Sequence, residues 1–349
     1  MNPLVTYILY AFNEERFIRE AIESAFAQTY SPLEIVLSDD GSTDRTYAIM
    51  EEMTAAYSGP HTIILNRNEK NIGIGSQLNA AWHKSRGELF VLANGDDVSL
   101  PERVSRTVEA WLEGIERAMG VTANLATMDA EGRPMNRLIR PRTEYPSLRE
   151  AVRYRCGPVL AASLAIDRQV FKRFGDLMPA LILEDGPLFL RAMLLGPTRH
   201  IEEPLVRYRI HKENISQAYA VEDYESWAKR HHEKATWQTR EGVKAYLQML
   251  GDLYSNEATN YGTEELERAR WVAAEKLAEQ QMLAAYYQQQ SAVPLRMRIA
   301  SLWRLGRLAV KLSIKTLLPF IQRRNTRWHY RSVVRAASAA SREVEHREA

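Results

Sequence analysis

The chain has 349 residues, 45% of them hydrophobic and 26% charged, a composition that excludes a disordered protein and suits one large domain with a smaller appended module. No run reaches the roughly 18–20 uninterrupted apolar residues of a membrane-spanning helix, and a single cysteine, Cys156, excludes an internal disulfide or a paired zinc or redox motif and points to a reducing cytosol. The net charge of +2 hides an asymmetry, because residues 294–335 carry eleven Lys or Arg and no acid while the remainder is acidic.

The N-terminus, MNPLVTYILYAFNEE, lacks a basic leader and soon turns polar, so residues 4–10 are expected to form a buried strand and not a signal peptide. A helix is expected over 14–28, with Phe17, Ile18, Ala21, Ile22 and Ala25 on one face. Strands over 33–37, 63–65 and 88–93 then alternate with helices over 43–57 and 75–84, the pattern of βα units feeding a parallel sheet. Residues 120–210 are punctuated by Pro134, Pro141, Pro146 and Pro158 and are expected to form irregular strands and loops. Beyond residue 217 the pattern is helical, over 221–254, 263–289 and 294–318. The expected class is therefore α/β, a Rossmann-like, mostly parallel sheet flanked by helices over 1–217, followed by an all-helical extension over 218–349.

Two strand ends carry paired acids. Asp39-Asp40 precede Gly41-Ser42-Thr43-Asp44, and Asn94-Gly95-Asp96-Asp97 follow the fourth strand. Ligands of open α/β sheets bind beyond the carboxyl ends of the strands, which gives both pairs a functional reading. Helix capping by Ser42 or Thr43 and a solvated turn at 94–97 are the plain structural readings. Adjacent acids on a glycine-hinged turn suit a hard divalent cation, Mg²⁺ or Mn²⁺, which takes one or two carboxylates and completes its shell with water and phosphate oxygens. A nicotinamide dehydrogenase is excluded, because no G-x-G-x-x-G follows the first strand.

Three blocks in order resemble family 2 glycosyltransferases of the GT-A fold. The first runs from Phe12-Asn13-Glu14 through Gln28-Thr29-Tyr30 and Glu34-Ile35-Val36 to Asp39–Asp44. The second joins Asn71-Ile72-Gly73, Asn79 and Arg86-Gly87-Glu88 to Asn94-Gly95-Asp96-Asp97. The third combines Glu184-Asp185 with Tyr208-Arg209-Ile210-His211 and Asn214-Ile215-Ser216. The resemblance covers residues 4–217 and implies a metal-dependent, inverting transfer from a nucleoside-diphosphate sugar to a saccharide or lipid-linked acceptor, in surface polysaccharide or lipid-linked glycan synthesis.

The same resemblance assigns roles. Asp40 is implied to hold the nucleotide base, and Tyr10, Ala11, Phe12, Asn13, Glu14 and Asn71 to line the donor pocket with Asn94, Gly95 and Asp97. Asp96 is implied to bind the cation in a DxD-like element, with His211 approaching the metal or diphosphate. Asp185 is implied to be the general base, although an acid at a helix start is also an ordinary cap. The chain departs from the family pattern at Asn94, in place of the first Asp, and at Leu78, in place of an arginine. The 214–216 sequon is discounted in a cytosolic chain, and the adjacent His231 and His232 face different directions on a helix.

In the basic C-terminal stretch, Arg304, Arg307, Lys311 and Lys315 share one helical face, opposite Leu295, Ile299, Leu302, Leu305, Ala309 and Leu312. Such a helix can lie on an anionic membrane surface, placing the protein on the inner face of the cell membrane, or pack its apolar face on the large domain. Nucleic acid is not an expected partner, because no recognised binding module surrounds the charges.

Overall fold

The computed structural model describes residues 2–157, 160–179, 181–211, 214, 224–255 and 260–289. The helix expected over 294–318, the basic run to 335, and Ile215 and Ser216 of the sequon lie outside these residues. His231 and His232 lie in a described helix, but their side chains are outside the description.

The first ninety residues wind as expected: β1 (Val5–Ala11), α1 (Ile18–Phe26), β2 (Leu33–Asp39), α2 (Thr46–Ala56), β3 (Thr62–Arg67), α3 (Ile74–Lys84) and β4 (Leu89–Asn94). β1 pairs in parallel with β2 and β4, and β2 with β3. Every residue of β1 and β2 is buried, as befits central parallel strands covered on both faces. Ile18, Ala21, Ile22 and Ala25 of α1 join Leu9, Ile35, Leu37 and Val91 in one core cluster. The expected start of this helix at residue 14 is corrected. Asn13 adopts a left-handed conformation (φ 57°), and the Glu14 carbonyl accepts the amides of both Phe17 and Ile18, so 14–17 form a turn and the helix begins at Ile18.

The second half adds β5 (Val98–Ser99), α4 (Arg103–Leu112), β6 (Gly120–Met128), β7 (Pro134–Ile139), α5 (Leu148–Arg153), β8 (Ala165–Asp167), α6 (Arg168–Phe174), α7 (Asp185–Leu195) and β9 (Thr198–Arg209). The sheet order is β3-β2-β1-β4-β8-β6-β9-β5, with β7 paired to β6. β8 runs antiparallel to both β4 and β6, whereas β6 and β9 are parallel. Residues 120–210 thus hold the 9-residue β6 and the 12-residue β9, longer than the irregular pieces expected. Pro134 opens the exposed strand β7, Pro141 and Pro146 lie in the following loop, and Pro204 faces Asn124 where the β6–β9 register slips, while Pro158 lies outside the described residues.

Strand register places the site. Ala11 lies opposite Asp39 and Tyr10 opposite Asn94, so the carboxyl ends of β1, β2 and β4 finish level. The opposite end is closed by Glu34, which is fully buried and accepts hydrogen bonds from Thr6 (2.6 Å) and from the Arg86 and Gly87 amides (2.5 and 3.0 Å). The Arg86-Gly87-Glu88 block therefore secures the sheet far from the acidic edge.

The helices α8 (Tyr224–Tyr254) and α9 (Thr263–Gln289) complete the described chain. Two compact units are resolved: residues 1–215 with 244–274, and residues 216–243 with 275–349. In the first unit, a buried ion pair joins α7 to α8, Arg191 Nε to Asp252 Oδ2 at 2.9 Å and Nη2 to Oδ1 at 3.0 Å. Among the described residues no helix is long and apolar enough to cross a membrane.

Candidate active site

The turn after β4 is shaped by its glycine. A Cβ on Gly95 would lie 2.7 Å from that of Ala11, and the Gly95 amide donates to the Tyr10 carbonyl at 3.0 Å. Close packing against β1 leaves Asp96 and Asp97, both largely buried, with different partners. Asp97 Oδ1 accepts the Arg209 amide (2.8 Å) and Oδ2 accepts Asn94 Nδ2 (3.1 Å). Burial, and secondarily the neighbouring Asp96 charge, hold the Asp97 carboxyl well above the usual range. Asp97 and Asn94 thus brace the turn against each other.

Asp96 faces the end of β9. Its Oδ2 lies 3.0 Å from His211 Nε2 and accepts Asn214 Nδ2 at 3.1 Å. Asn214 also donates to the Arg209 carbonyl at 3.0 Å and accepts the His211 amide, fixing the strap that carries the imidazole. The His211 ring packs on Phe17 with centroids 4.6 Å apart. The Glu14 carboxylate completes the group: one ligand atom each from Glu14, Asp96 and His211 lies within 4.8 Å of the others. Two carboxylates and an imidazole at this spacing fit a divalent cation. Ligands about 2.1 Å from an octahedral ion and at right angles lie about 3.0 Å apart, and opposite ones about 4.2 Å.

The edge of β1 and β2 frames a second region. Asn13 Oδ1 accepts the Thr43 amide (2.9 Å) and its own amide donates to Ser42 Oγ (2.8 Å), while the Glu14 amide donates to Thr46 Oγ1 (2.7 Å). The 11–14 segment is thereby stitched to the Gly41–Thr46 turn, with Phe12 at the surface. Asp40 is almost wholly buried, and its carboxylate accepts Asn68 Nδ2 (2.8 Å) and the Ile72 and Gly73 amides (3.0 and 2.9 Å). A carboxylate offers about four acceptor positions, of which the loop takes three. Asn71 Oδ1 accepts the Gly73 amide at 3.2 Å and stabilises the same loop.

Glu184 and Asp185 stand at the start of α7. Glu184 is buried and accepts the Tyr10 hydroxyl at 3.3 Å. Burial, reinforced by the Asp185 charge, pushes its carboxyl up to about 8. Asp185 is more accessible, accepts the Gly186 amide at 2.8 Å, and is raised by burial to about 6, with the Arg155 guanidinium opposing the shift. A carboxylate so poised is ionised at neutral pH yet basic enough to take a proton. Arg155 and Cys156 are both left-handed (φ 55° and 51°), and the Arg155 carbonyl packs directly against Gly186, where a Cβ would meet it at 2.1 Å. Arg142, with its guanidinium 4.8 Å from the Tyr145 ring and 5.3 Å from the Tyr154 ring, continues this surface, and Tyr145 ties it to the Gly157 carbonyl (3.4 Å).

The candidates named from sequence thus fall into three groups. Asp96 and His211 meet directly. Asp40, Asn71 and Asn13 form the β2 edge with Ala11 and Phe12. Asp185 follows Glu184, which accepts the Tyr10 hydroxyl, and burial and then the Glu184 and Asp185 charges raise that hydroxyl well above its usual range. Glu14, expected with the donor pocket, lies instead beside Asp96 and His211. Sequence reasoning missed Arg209 and Asn214 as supports of the turn after β4 and of Asp96. Their position flanking His211 in the third block was the available signal.

The chain is also similar to known proteins. Residues 6–173 match the family model described as glycosyl transferase family 2. An uncharacterised glycosyltransferase of Nostoc sp. is 28% identical over 233 residues, 64% of this chain and 70% of that protein. Chondroitin synthase of Escherichia coli is 28% identical over 218 residues, 61% of this chain but 30% of its own length. Among solved structures, the mannosyltransferase PcManGT from Pyrobaculum calidifontis, in complex with GDP-Man and Mn²⁺, is similar in fold with a TM-score of 0.52 at 18% identity, covering 91% of this chain and 88% of that one.

Proposed function

We propose, from the match of residues 6–173 to glycosyl transferase family 2, a metal-dependent, inverting transfer from a nucleoside-diphosphate sugar. The observation that carries the reading is the pairing of Asp96 with His211 at 3.0 Å beyond the carboxyl end of β4.

In this reading the nucleotide lies along the edge of β1 and β2. Asp40 receives a base N–H on its remaining acceptor position, and the Tyr10–Asn13 segment with Asn71 lines the pocket. Asp96 and His211 would hold a divalent cation, which when bound would neutralise charge developing on the departing diphosphate. Asp185 takes the proton of the acceptor hydroxyl as that oxygen attacks the anomeric carbon. The new C–O bond forms opposite the breaking bond to the diphosphate oxygen, which leaves with its electron pair as nucleoside diphosphate. A single in-line displacement inverts the anomeric configuration. The bound GDP-Man and Mn²⁺ of PcManGT, and the polysaccharide product implied by the name of chondroitin synthase, support a nucleotide-sugar donor, a cation and a saccharide or lipid-linked acceptor in polysaccharide synthesis.

The basic run 294–335 suits docking on the anionic inner face of a membrane, where a lipid-linked acceptor would be held. Cofractionation with anionic vesicles that is unchanged by truncation before Pro294 would argue against this placement.

The direct test of the reading is a panel of nucleotide sugars incubated with the full chain and Mn²⁺ or Mg²⁺. Release of nucleoside diphosphate from a subset of donors, abolished by EDTA and restored by metal, is the expected result. Turnover of no donor under any metal condition would refute it.

A further inference from the structure

The turn after β4 lacks a carboxylate at its first position, where Asn94 stands, and the structure shows that Asn94 is occupied elsewhere, donating to Asp97 Oδ2 at 3.1 Å. Asp97 is likewise committed to Asn94 and to the Arg209 amide. The turn therefore presents one carboxylate, Asp96, toward His211. A second carboxylate arrives from a different element. Glu14 belongs to the turn between β1 and α1, and its side chain lies in the same group as Asp96 and His211, all three ligand atoms within 4.8 Å.

We propose that Glu14 is the third protein ligand of the cation, supplying from the β1–α1 turn the carboxylate that Asn94 withholds. The inference rests on the reading of Asp96 and His211 as a metal site. Glu14 is placed for this role by a rigid anchor, because the Glu14 amide is bound to Thr46 Oγ1 and the preceding left-handed Asn13 is bound to Ser42 and Thr43. Opposite ligands of an octahedral ion lie about 4.2 Å apart, so closing the group onto a cation takes a movement on the order of half an ångström.

Two consequences distinguish this ligand set from a pair of acids on one turn. Its single imidazole disfavours Mg²⁺, which prefers an all-oxygen, largely hydrated shell, and favours Mn²⁺. It also ties the cation to the 11–14 segment that lines the nucleotide pocket, so the metal and that segment order together.

The experiment is titration of the metal-stripped full chain with Mn²⁺ alone, followed by the paramagnetic resonance signal of the free ion, with Mg²⁺ as competitor. Wild type is expected to take up one Mn²⁺ that Mg²⁺ displaces only in large excess. Glu14→Gln should keep its melting temperature but lose at least tenfold in Mn²⁺ affinity and most of its discrimination against Mg²⁺. Loss of uptake in Asp96→Ala with wild-type affinity in Glu14→Gln would overturn the assignment of Glu14 alone. Wild-type affinity in Asp96→Ala, or no uptake by the wild type, would overturn the metal reading as well.

Discussion

The backbone amide of Arg209 donates to Asp97 Oδ1 at 2.8 Å, and the Arg209 guanidinium reaches back to the Asp96 carbonyl at 2.8 Å, so the last residue of β9 grips the turn after β4 from both sides. The same side chain bonds Glu20 of α1 and the Ala130 carbonyl and lies over the Phe17 ring. Lysine keeps the charge but loses the planar fork that spans these partners. Arg209→Lys should weaken Mn²⁺ binding by about 10–100-fold, the usual cost of removing support from behind a metal ligand. Calorimetric titration with Mn²⁺ checks this, and an unchanged affinity would show that the turn holds itself.

The Glu184–Asp185 pair sets a pH dependence with a definite sign. Asp185 acts as a base only when ionised, so kcat/KM should rise with pH through about 6 and fall away below it. Stability moves the other way. The Glu184 carboxyl is raised from 4.5 to about 8, so the folded state binds the extra proton between those values and stability is lost as pH rises through them. Glu184→Gln, which still accepts from Tyr10, should melt higher than wild type at pH 9 and nearly level with it at pH 4.5. A melting-temperature series across that range reads the difference.

Gly41 sits at φ +72°, and a Cβ there would come within 2.5 Å of the Lys70 carbonyl carbon. Gly41→Ala therefore meets both backbone strain and overlap with the loop that Asp40 holds, costing about 2–4 kcal/mol in all. Urea unfolding measures the loss. Nucleotide affinity should fall as well, because the Ile72 and Gly73 amides that orient Asp40 are displaced.

Removing Asp252 strands a buried guanidinium. Arg191 and Asp252 are 1% and 5% exposed at their side chains, and breaking such a pair from one side costs roughly 3–5 kcal/mol. Asp252→Ala should shift the urea midpoint accordingly. A loss below about 1 kcal/mol would mean that α8 is only loosely held to α7.

Much of this was legible before any coordinates. The β-branched and apolar runs of β1, β2 and β4 announce a parallel sheet because both faces of those strands are covered, and residues 263–289 are helical as their periodicity requires. Asp40 and Asp96 stood out because acids at strand ends are chemically conspicuous, and the family resemblance pointed to Asp185 and His211. Less legible were the features fixed by long-range packing. Glu14 reads as a helix-start acid until the left-handed Asn13 ends the strand and turns its carboxylate toward His211. Arg209 reads as one more strand residue, since nothing local reveals that β9 runs beside β5 and meets the turn after β4. The Arg191–Asp252 pair is likewise invisible in sequence, 61 residues separating its partners.

The central claim is that Asp185 removes the acceptor proton while Asp96 serves the donor side, and a donor-turnover assay on Asp185→Asn and Asp96→Ala separates the two. With a donor accepted by the wild type, Asp185→Asn should retain Mn²⁺-dependent nucleotide binding but lose about 10²–10⁴-fold in transfer rate, and Asp96→Ala should lose the metal-dependent binding itself. Transfer by Asp185→Asn at the wild-type rate would contradict the account.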